Sequence, residues 1–272
     1  MTARGAIGCR QVVLATGGES LPKTGSDGAG FQFAQRCGHT IVPTTPALVP
    51  LVLDDADGAS IHRELSGVSH TVALHLWIGG RIAERQHGSL LWTHFGISGP
   101  VALNMSRHWL RARRDGRTPS LTASLAPSNS FDRLDAQWTA AAATRPKSSL
   151  LVALSAQVPG SVAAAMLARL QIDPARELAH VARDERRRLV HALVAWPLRV
   201  TGCRGYNYAE ATAGGVALDE INPATMESRL CPGLYLVGEM LDVDGRIGGF
   251  NFQWAWSTAY VAGQALAAGH RT

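Results

Sequence analysis

Residues 233–268 read GLYLVGEMLDVDGRIGGFNFQWAWSTAYVAGQALAA. Leu234 to Val237 is a short apolar run of strand-forming residues, the pattern of a buried parallel strand. It ends at Gly238-Glu239, where the backbone can turn tightly and a carboxylate is presented. A loop carrying Glu239, Asp242 and Asp244 leads to Gly248-Gly249. From there the spacing turns helical, with Phe250, Trp254, Thr258, Val261, Ala262 and Ala265 on one face. Strand, glycine turn and helix N-terminus together hold a phosphate or another electron-rich group. Free N–H groups and the positive end of the helix dipole point at the ligand, and glycine lets it come close. A βα turn without a ligand has the same outline. Two features favour the ligand. The three acids lie between two glycine turns, where hydroxyls of a sugar or sugar alcohol could bind, and Phe250, Asn251, Phe252 and Gln253 crowd the first helical turn.

The N-terminal region repeats this logic. Gln11 to Ala15 (QVVLA) is a second short apolar strand, and it ends in Thr16-Gly17-Gly18. Ligands of open parallel sheets sit at the carboxyl ends of strands, so the two strands imply one sheet interrupted by a long insertion. The loop from Pro22 to Gly30 is glycine-rich, and Ser26 or Asp27 is placed to cap a helix running to about Cys37, with Gly38 as its stop. Lys23 precedes the glycines and no GK[ST] follows them, so the loop is not a Walker A motif. Asp27 and the Gly28 backbone are its candidate ligand contacts. A third glycine turn, Gly214-Gly215, closes an aromatic-rich stretch beginning at Arg204 that reads as a hairpin.

From Pro43 the character changes. Short β-like runs at Leu48–Leu53, Thr71–Ile78, Arg81–Ala83 and Ser89–Trp92 suggest an antiparallel sheet or small barrel. Ser98 with Gly99-Pro100 marks the start of a helix through Val101, Ala102, Met105 and Trp109. Phe131–Arg145, Gly160–Leu170 and Asp184–Trp196 have helical spacing. Arginines cluster at 107–117 and 176–188, but the second group alternates with acids, as on an exposed helix face. His94, in the loop LWTHFGISGP, is a candidate acid or base because histidine titrates near neutral pH. Tyr206 is a second candidate proton donor.

The 272 residues are 46% hydrophobic and 17% charged, enough apolar content for one large or two modest domains. Net charge is +5. That suits anionic ligands such as dinucleotides. No long basic run with interleaved aromatics appears, so no nucleic-acid partner is expected. The four cysteines, Cys9, Cys37, Cys203 and Cys231, form no CxxC pair, which argues against a zinc site or a disulfide framework. No metal is expected. No apolar run suits a bilayer and the first residues do not suit a signal peptide, so a cytoplasmic protein acting on a small-molecule substrate is expected, with no membrane partner. Oligomeric state is not set by the sequence.

In order, ATGG, PKTGSDGAG, PALVPL, THFGISGP, ATAGGV, EINPATMES and the closing GLYLVGEMLDVDGRIGGFNFQWAWSTAYVAG resemble the BaiN/YhiN-like family of bacterial FAD-dependent oxidoreductases. The match covers nearly the whole chain. The resemblance implies an α/β fold: an FAD-binding Rossmann-type, glutathione-reductase-like domain (1–44 with 202–272), interrupted by a β-rich, barrel-like insert (45–130) and a small helical insert (131–201). It implies non-covalent FAD and electron flow from NAD(P)H to an organic acceptor. Thr16-Gly17-Gly18 would lie near the FAD, Gly238-Glu239 would meet its ribityl–pyrophosphate region, and Gly248 to Phe252 would pass the isoalloxazine ring. Such families open on a GxGxxG strand–turn–helix unit that binds the ADP half. No GxGxxG occurs in this chain, so the resemblance implies an incomplete domain with weakened FAD affinity and an uncovered strand edge. The alternative is a non-catalytic fragment or a binding module for an acidic partner.

Overall fold

A computed structural model of the chain describes residue 5, residues 8–55 and residues 60–269. It is an α/β structure that divides into two compact units, Met1–Val49 with Gly205–Thr272, and Pro50–Arg204. The first unit begins with β1 (Val12–Leu14), α1 (Ala29–Arg36) and β2 (Ile41–Ala47). The second holds β3 (Leu51–Leu53), β4 (Ser69–Ile78), β5 (Arg81–Thr93), β6 (Gly96–Ser98), α2 (Pro100–Arg114), β7 (Ser120–Ser124), α3 (Phe131–Thr144), α4 (Leu150–Ser155), α5 (Gly160–Leu170), α6 (Arg183–Val194), β8 (Trp196–Leu198) and β9 (Val200–Cys203). The chain then returns to the first unit with β10 (Ala211–Val216), β11 (Leu234–Leu236) and α7 (Phe250–Gly269).

In the first unit, β1 and β11 pair in parallel, Val12 opposite Leu234 and Leu14 opposite Leu236. The strand β11 is buried throughout and joins a core with Phe31, Ala34, Met240 and Ala262. Its partner departs from the expected buried strand: Val12 and Val13 are 41% and 42% exposed. The predicted inner face of α7 holds at Thr258 and Ala262, which are buried, and at Trp254, Val261 and Ala265, which pack on the same core. Phe250 leaves that face and is 47% exposed. Phe252, Trp256 and Tyr260, four residues apart, form an exposed aromatic row on α7. The helix α1 starts after Gly28, whose backbone (φ 77°) makes the cap with no capping side chain, in place of the expected Ser26 or Asp27.

The second sheet of this unit pairs β10 with β2, antiparallel. It replaces the expected Arg204–Val216 hairpin, because Tyr206–Tyr208 forms a 3-10 turn and β10 finds its partner far along the chain. The strand β2 contains Pro43 and Pro46, residues that cannot donate to a ladder. At Pro43 the conflict is relieved by a bulge between Ala213 and Gly215, which takes Pro43 and Thr44 out of register; Pro46 stays opposite Thr212, whose own N–H goes to Glu239. Gly214 (φ 92°) sits in that bulge, and a Cβ there would lie 2.6 Å from the Pro43 carbonyl oxygen and 2.8 Å from that of Val42.

The second unit carries one antiparallel sheet in the order β8-β7-β4-β5-β6-β3-β9. It is open, with β8 and β9 as edges among the described residues: the antiparallel sheet that the strand runs suggested, and not the barrel offered as its alternative. Arg81–Ala83 and Ser89–Trp92, read as two runs, are parts of the continuous β5. Alternation buries Val72, Leu74 and Leu76 on one face of β4. That face meets Val101, Ala102, Met105 and Trp109 of α2 in the core, as their spacing required. Ser98 belongs to β6 and does not cap α2; Gly99 takes that place, with Pro100 first in the helix. The helices α3, α5 and α6 lie within two residues of their predicted bounds. The six-residue α4 is too short to show a period. Leu134, Leu150 and Leu189 share one apolar cluster with Leu90 and Trp92, so sheet and helices enclose a common core.

Replacing Gly214 by Ala sets a side chain against two carbonyl oxygens at positive φ. The expected loss is roughly 2–4 kcal/mol, seen as a lower urea midpoint at unchanged m value. An unchanged midpoint would mean that the bulge is not needed.

Candidate functional site

Parallel pairing sets the carboxyl ends of β1 and β11 side by side, and the Val237 N–H donates to the Leu14 carbonyl at 3.2 Å. Both strands then turn at glycines with positive φ, Gly17 at 76° and Gly238 at 70°. The surroundings explain the neighbouring glycines. A Cβ on Gly18 would collide with the Thr212 side chain, and one on Gly30 with the Thr16 hydroxyl. The start of α1 therefore lies directly over the first turn, and the Gly28 N–H donates to the Gly18 carbonyl at 3.1 Å. Thr16 is exposed at this end of β1. Asp27 is also exposed, and its carboxylate accepts the Ala29 N–H at 3.0 Å, beside the N-terminus of α1.

Glu239 joins the turns. One carboxylate oxygen accepts the Thr212 N–H at 2.5 Å, and the other accepts the Gly18 N–H at 3.1 Å. Burial pushes its pKa upward, and the N–H donors only partly offset that push. The hydroxyl oxygen of Thr212, itself fully buried, accepts the N–H groups of Glu19 at 2.8 Å and Ser20 at 3.1 Å and contacts the Ser20 hydroxyl at 3.1 Å. The Thr44 hydroxyl donates to Glu19 at 2.5 Å. The glycine turn after β1 is thus held from three sides by residues far apart in sequence.

The third glycine pair opens α7. Gly238 is anchored to this helix by both backbone groups: its N–H donates to the Thr258 hydroxyl at 2.9 Å, and its carbonyl accepts the Trp254 indole N–H at 3.1 Å. Gly248 and Gly249, at φ 122° and 86°, are exposed. The Asn251 amide clamps the acid-bearing loop, accepting the Gly245 N–H at 2.7 Å and donating to the Gly245 carbonyl at 3.3 Å. In that loop Asp242 and Asp244 are half-buried, and the Asp242 N–H donates to the Val216 carbonyl at 3.0 Å. Arg246 lies over the Phe250 ring at 4.8 Å. A cleft of about 340 Å³ opens here, lined by Val243, Gly245, Phe250, Asn251, Gln253, Trp254 and Ser257. The first turn of this 20-residue helix holds no acid. The first N–H groups of any helix lack partners inside it, so the cleft borders a positive helix end suited to negative charge. Phe252 does not line it; 68% exposed, that side chain stacks on Trp256.

The two candidate proton donors fall in different units. His94 belongs to the second unit, exposed and edge-on to Phe95 at 5.1 Å. Tyr206 is in the first unit, where its carbonyl accepts the Leu21 N–H at 3.0 Å. Among the described residues, no group of three or more His, Cys, Asp or Glu side chains is placed to hold a metal, and no helix is long and apolar enough to cross a membrane. Sequence reading missed Thr212, although a lone polar residue just before two glycines was a signal. It also missed the buried His39, whose ring nitrogens meet Glu220 and Ser228 at 2.8 Å each, because nothing local marks that contact.

A family model described as the HI0933-like protein Rossmann domain matches residues 1–265. The ribosomal RNA dihydrouridine synthase of Escherichia coli (strain K12) is 34% identical over 263 residues, covering 96% of this chain and 62% of that protein. The Haemophilus influenzae protein of the same name is 32% identical over 258 residues, 95% of this chain and 60% of its own. A 3-dehydro-bile acid delta(4,6)-reductase from Clostridium scindens is 32% identical over 260 residues, 94% of this chain and 62% of its own. The chain therefore spans less than two thirds of the length of these relatives.

Glu239→Gln keeps one acceptor but turns an NH2 group toward a backbone N–H, and is expected to lose roughly 1–3 kcal/mol. A raised carboxyl pKa means that the folded state holds its proton longer, so the Glu239 contribution falls as pH rises from the ordinary 4.5 through the raised value. The deficit of the Gln variant should therefore grow on acidification from neutral pH toward 4.5. Urea unfolding of both proteins across that range measures it, and a pH-independent difference would contradict the burial argument.

Proposed function

Because the chain belongs to the HI0933-like protein Rossmann-domain family, we propose that it serves a flavin-dependent reductase which holds FAD non-covalently and draws electrons from NAD(P)H. The observation that carries this reading is the meeting of two glycine turns at the carboxyl ends of β1 and β11 with α7, anchored on Gly238, whose acid-free N-terminus borders a cleft. Such a cluster fits the flavin end of FAD, which develops negative charge on reduction. Bound FAD would supply the hydride chemistry.

The chain's own residues have separable tasks. Thr16 is exposed and Gly17 half-buried at the end of β1, and these two, with the exposed Asp27, are offered to the cofactor, while the buried Gly18 holds the turn in place. Glu239 fixes the first turn beside Gly238, so the two turns keep a set geometry without mobile side chains. Gly248 and Gly249 allow close approach, Phe250 and Asn251 line the cleft, and the N–H groups of the first turn of α7 would stabilise negative charge on a bound flavin. Asp242 and Asp244 stand on the loop that Asn251 clamps, where ribityl hydroxyls can be bound.

The names of the relatives suggest the reaction class. Making dihydrouridine from uridine, and reducing a ring double bond conjugated to a 3-oxo group, both add two electrons and two protons across C=C next to a carbonyl. We infer the same class here. The distribution of charge bears on the substrate. Of the 26 Lys and Arg, 19 lie between Pro50 and Arg204, against 12 of the 21 acids. The inserted unit is strongly basic while the glycine-turn unit is mildly acidic. That asymmetry favours a polyanionic substrate such as RNA, in place of the small molecule without nucleic acid suggested by the sequence. It equally favours a second reading, an RNA-binding module without catalysis.

Incubation with FAD, desalting and a visible spectrum separate these readings. Retained flavin bands that bleach anaerobically with NADH or NADPH are expected, followed by reoxidation with uridine-containing ribosomal RNA and not with a conjugated steroid enone. No retained flavin, with RNA affinity falling steeply with salt, would leave the binding module. Asn251→Ala, which frees the acid-bearing loop, should weaken FAD retention about tenfold through the loss of roughly one to two hydrogen bonds. Equal retention would remove the cleft from the FAD site.

A further inference from the structure

Two of the four cysteines are brought together by a buried polar bridge. Cys37 ends α1, with its N–H on the Ala34 carbonyl at 3.0 Å, and Gly38 (φ 91°) reverses the chain so that the His39 N–H reaches the same carbonyl at 3.1 Å. The buried His39 ring then spans two partners: Nδ1 meets Glu220 at 2.8 Å and Nε2 meets the Ser228 hydroxyl at 2.8 Å. Ser228 also accepts the N–H groups of Leu230 at 3.0 Å and Cys231 at 2.8 Å. With its oxygen accepting those donors, Ser228 gives its proton to Nε2, which leaves Nδ1–H to donate to the Glu220 carboxylate. His39 and Ser228 therefore clasp the backbone two residues beyond Cys37 to the backbone of Cys231. Both side chains pack on the same apolar cluster and both are half-buried. Burial raises the Cys37 pKa, and the Cys231 thiol is near enough to help raise it. Cys9 is exposed near the N-terminus, and Cys203 belongs to the other unit.

We propose that Cys37 and Cys231 are a redox-active dithiol that closes to an intramolecular disulfide when met by a low-molecular-weight disulfide. In the proposed sequence Cys231 attacks first. Its thiolate attacks one sulfur of the oxidant, breaking that S–S bond, forming a mixed disulfide and releasing one small thiolate. Cys37 then gives up its proton to solvent and attacks the Cys231 sulfur, forming the Cys37–Cys231 bond and releasing the second small thiolate. Two protein thiols are oxidised and one small disulfide is reduced to two thiols. The bond joins the end of α1 to the segment leading into β11, and it closes a loop that contains the whole inserted unit.

The full chain is incubated with glutathione disulfide, its remaining thiols are blocked with N-ethylmaleimide, and it is digested without reductant. The expected product is a Cys37–Cys231 linked peptide, with Cys9 and Cys203 not joined to either, and a melting temperature raised by about 5–10 °C. Cys37→Ser should leave Cys231 as a stable glutathione adduct, while Cys231→Ser should leave Cys37 mostly alkylated. Recovery of both residues alkylated in the unsubstituted chain, or of both as glutathione adducts without a link, would overturn the proposal. The mapping on the unsubstituted chain decides it alone, so failure of either serine variant to fold changes nothing.

Discussion

One buried carboxylate holds the glycine-turn unit in working order. Glu239 leaves the end of β11 and takes hydrogen bonds from the backbone of Gly18, after β1, and of Thr212, in β10. A carboxylate with its lone pairs engaged by N–H groups is costly to bury but stiff once buried. It offers acceptors in fixed directions, and the three backbones must arrange themselves around them. Gly18 must be glycine because the Thr212 side chain occupies the place of its Cβ. Thr212 must carry a hydroxyl because the next two residues after Gly18 donate to it. The candidate site is therefore made mostly of backbone groups, with the acid inside as a tie.

The sequence disclosed the parts of this arrangement that depend on local period and glycine placement. The strand at Leu234, the turns at Gly17 and Gly238, and the inner face of α7 at Thr258 and Ala262 were all readable. Their spacing along the chain sets which residues can share a face. Contacts across long separations were not readable. Nothing near Pro43 and Pro46 advertises that IVPTTPA will be a strand, since the bulge that admits it is supplied by Gly214. Likewise the acid at 239 looked outward in sequence terms, among other acids in a polar loop, while the fold turns its carboxylate inward. At α1 and α2 a glycine at positive φ takes the cap position expected for Ser26, Asp27 or Ser98, although Asp27, one residue earlier, still accepts the Ala29 N–H. The resemblance implied separate β-rich and helical inserts; the apolar residues of both stretches share one core.

The uneven charge gives the two units different electrostatic characters. In the inserted unit, Arg176 and Arg186 are paired with Glu185 and Asp135, which leaves a large excess of positive charge to act at longer range. Both of these pairs are half-buried; the more exposed cations contribute little to stability. The arginines of the insert therefore bear on association more than on folding, and they do so over roughly a Debye length.

The same topology bears on how the chain reaches its fold. Both strand pairs of the glycine-turn unit, β1 with β11 and β2 with β10, join residues from opposite sides of the insert. Closing so long a disordered loop is entropically slow. The insert removes that obstacle if it folds first: β3 and β9 pair next to its two ends, and the Arg204 N–H donates to the Pro50 carbonyl at 3.0 Å. Once that clasp forms, more than half of the chain collapses kinetically to a short connection, and β2 and β10 are delivered to each other as if joined by a tight turn. The insert then acts as a folding template for the glycine turns, and substitutions at the clasp should register in the rate at which those turns assemble before they register in the finished structure.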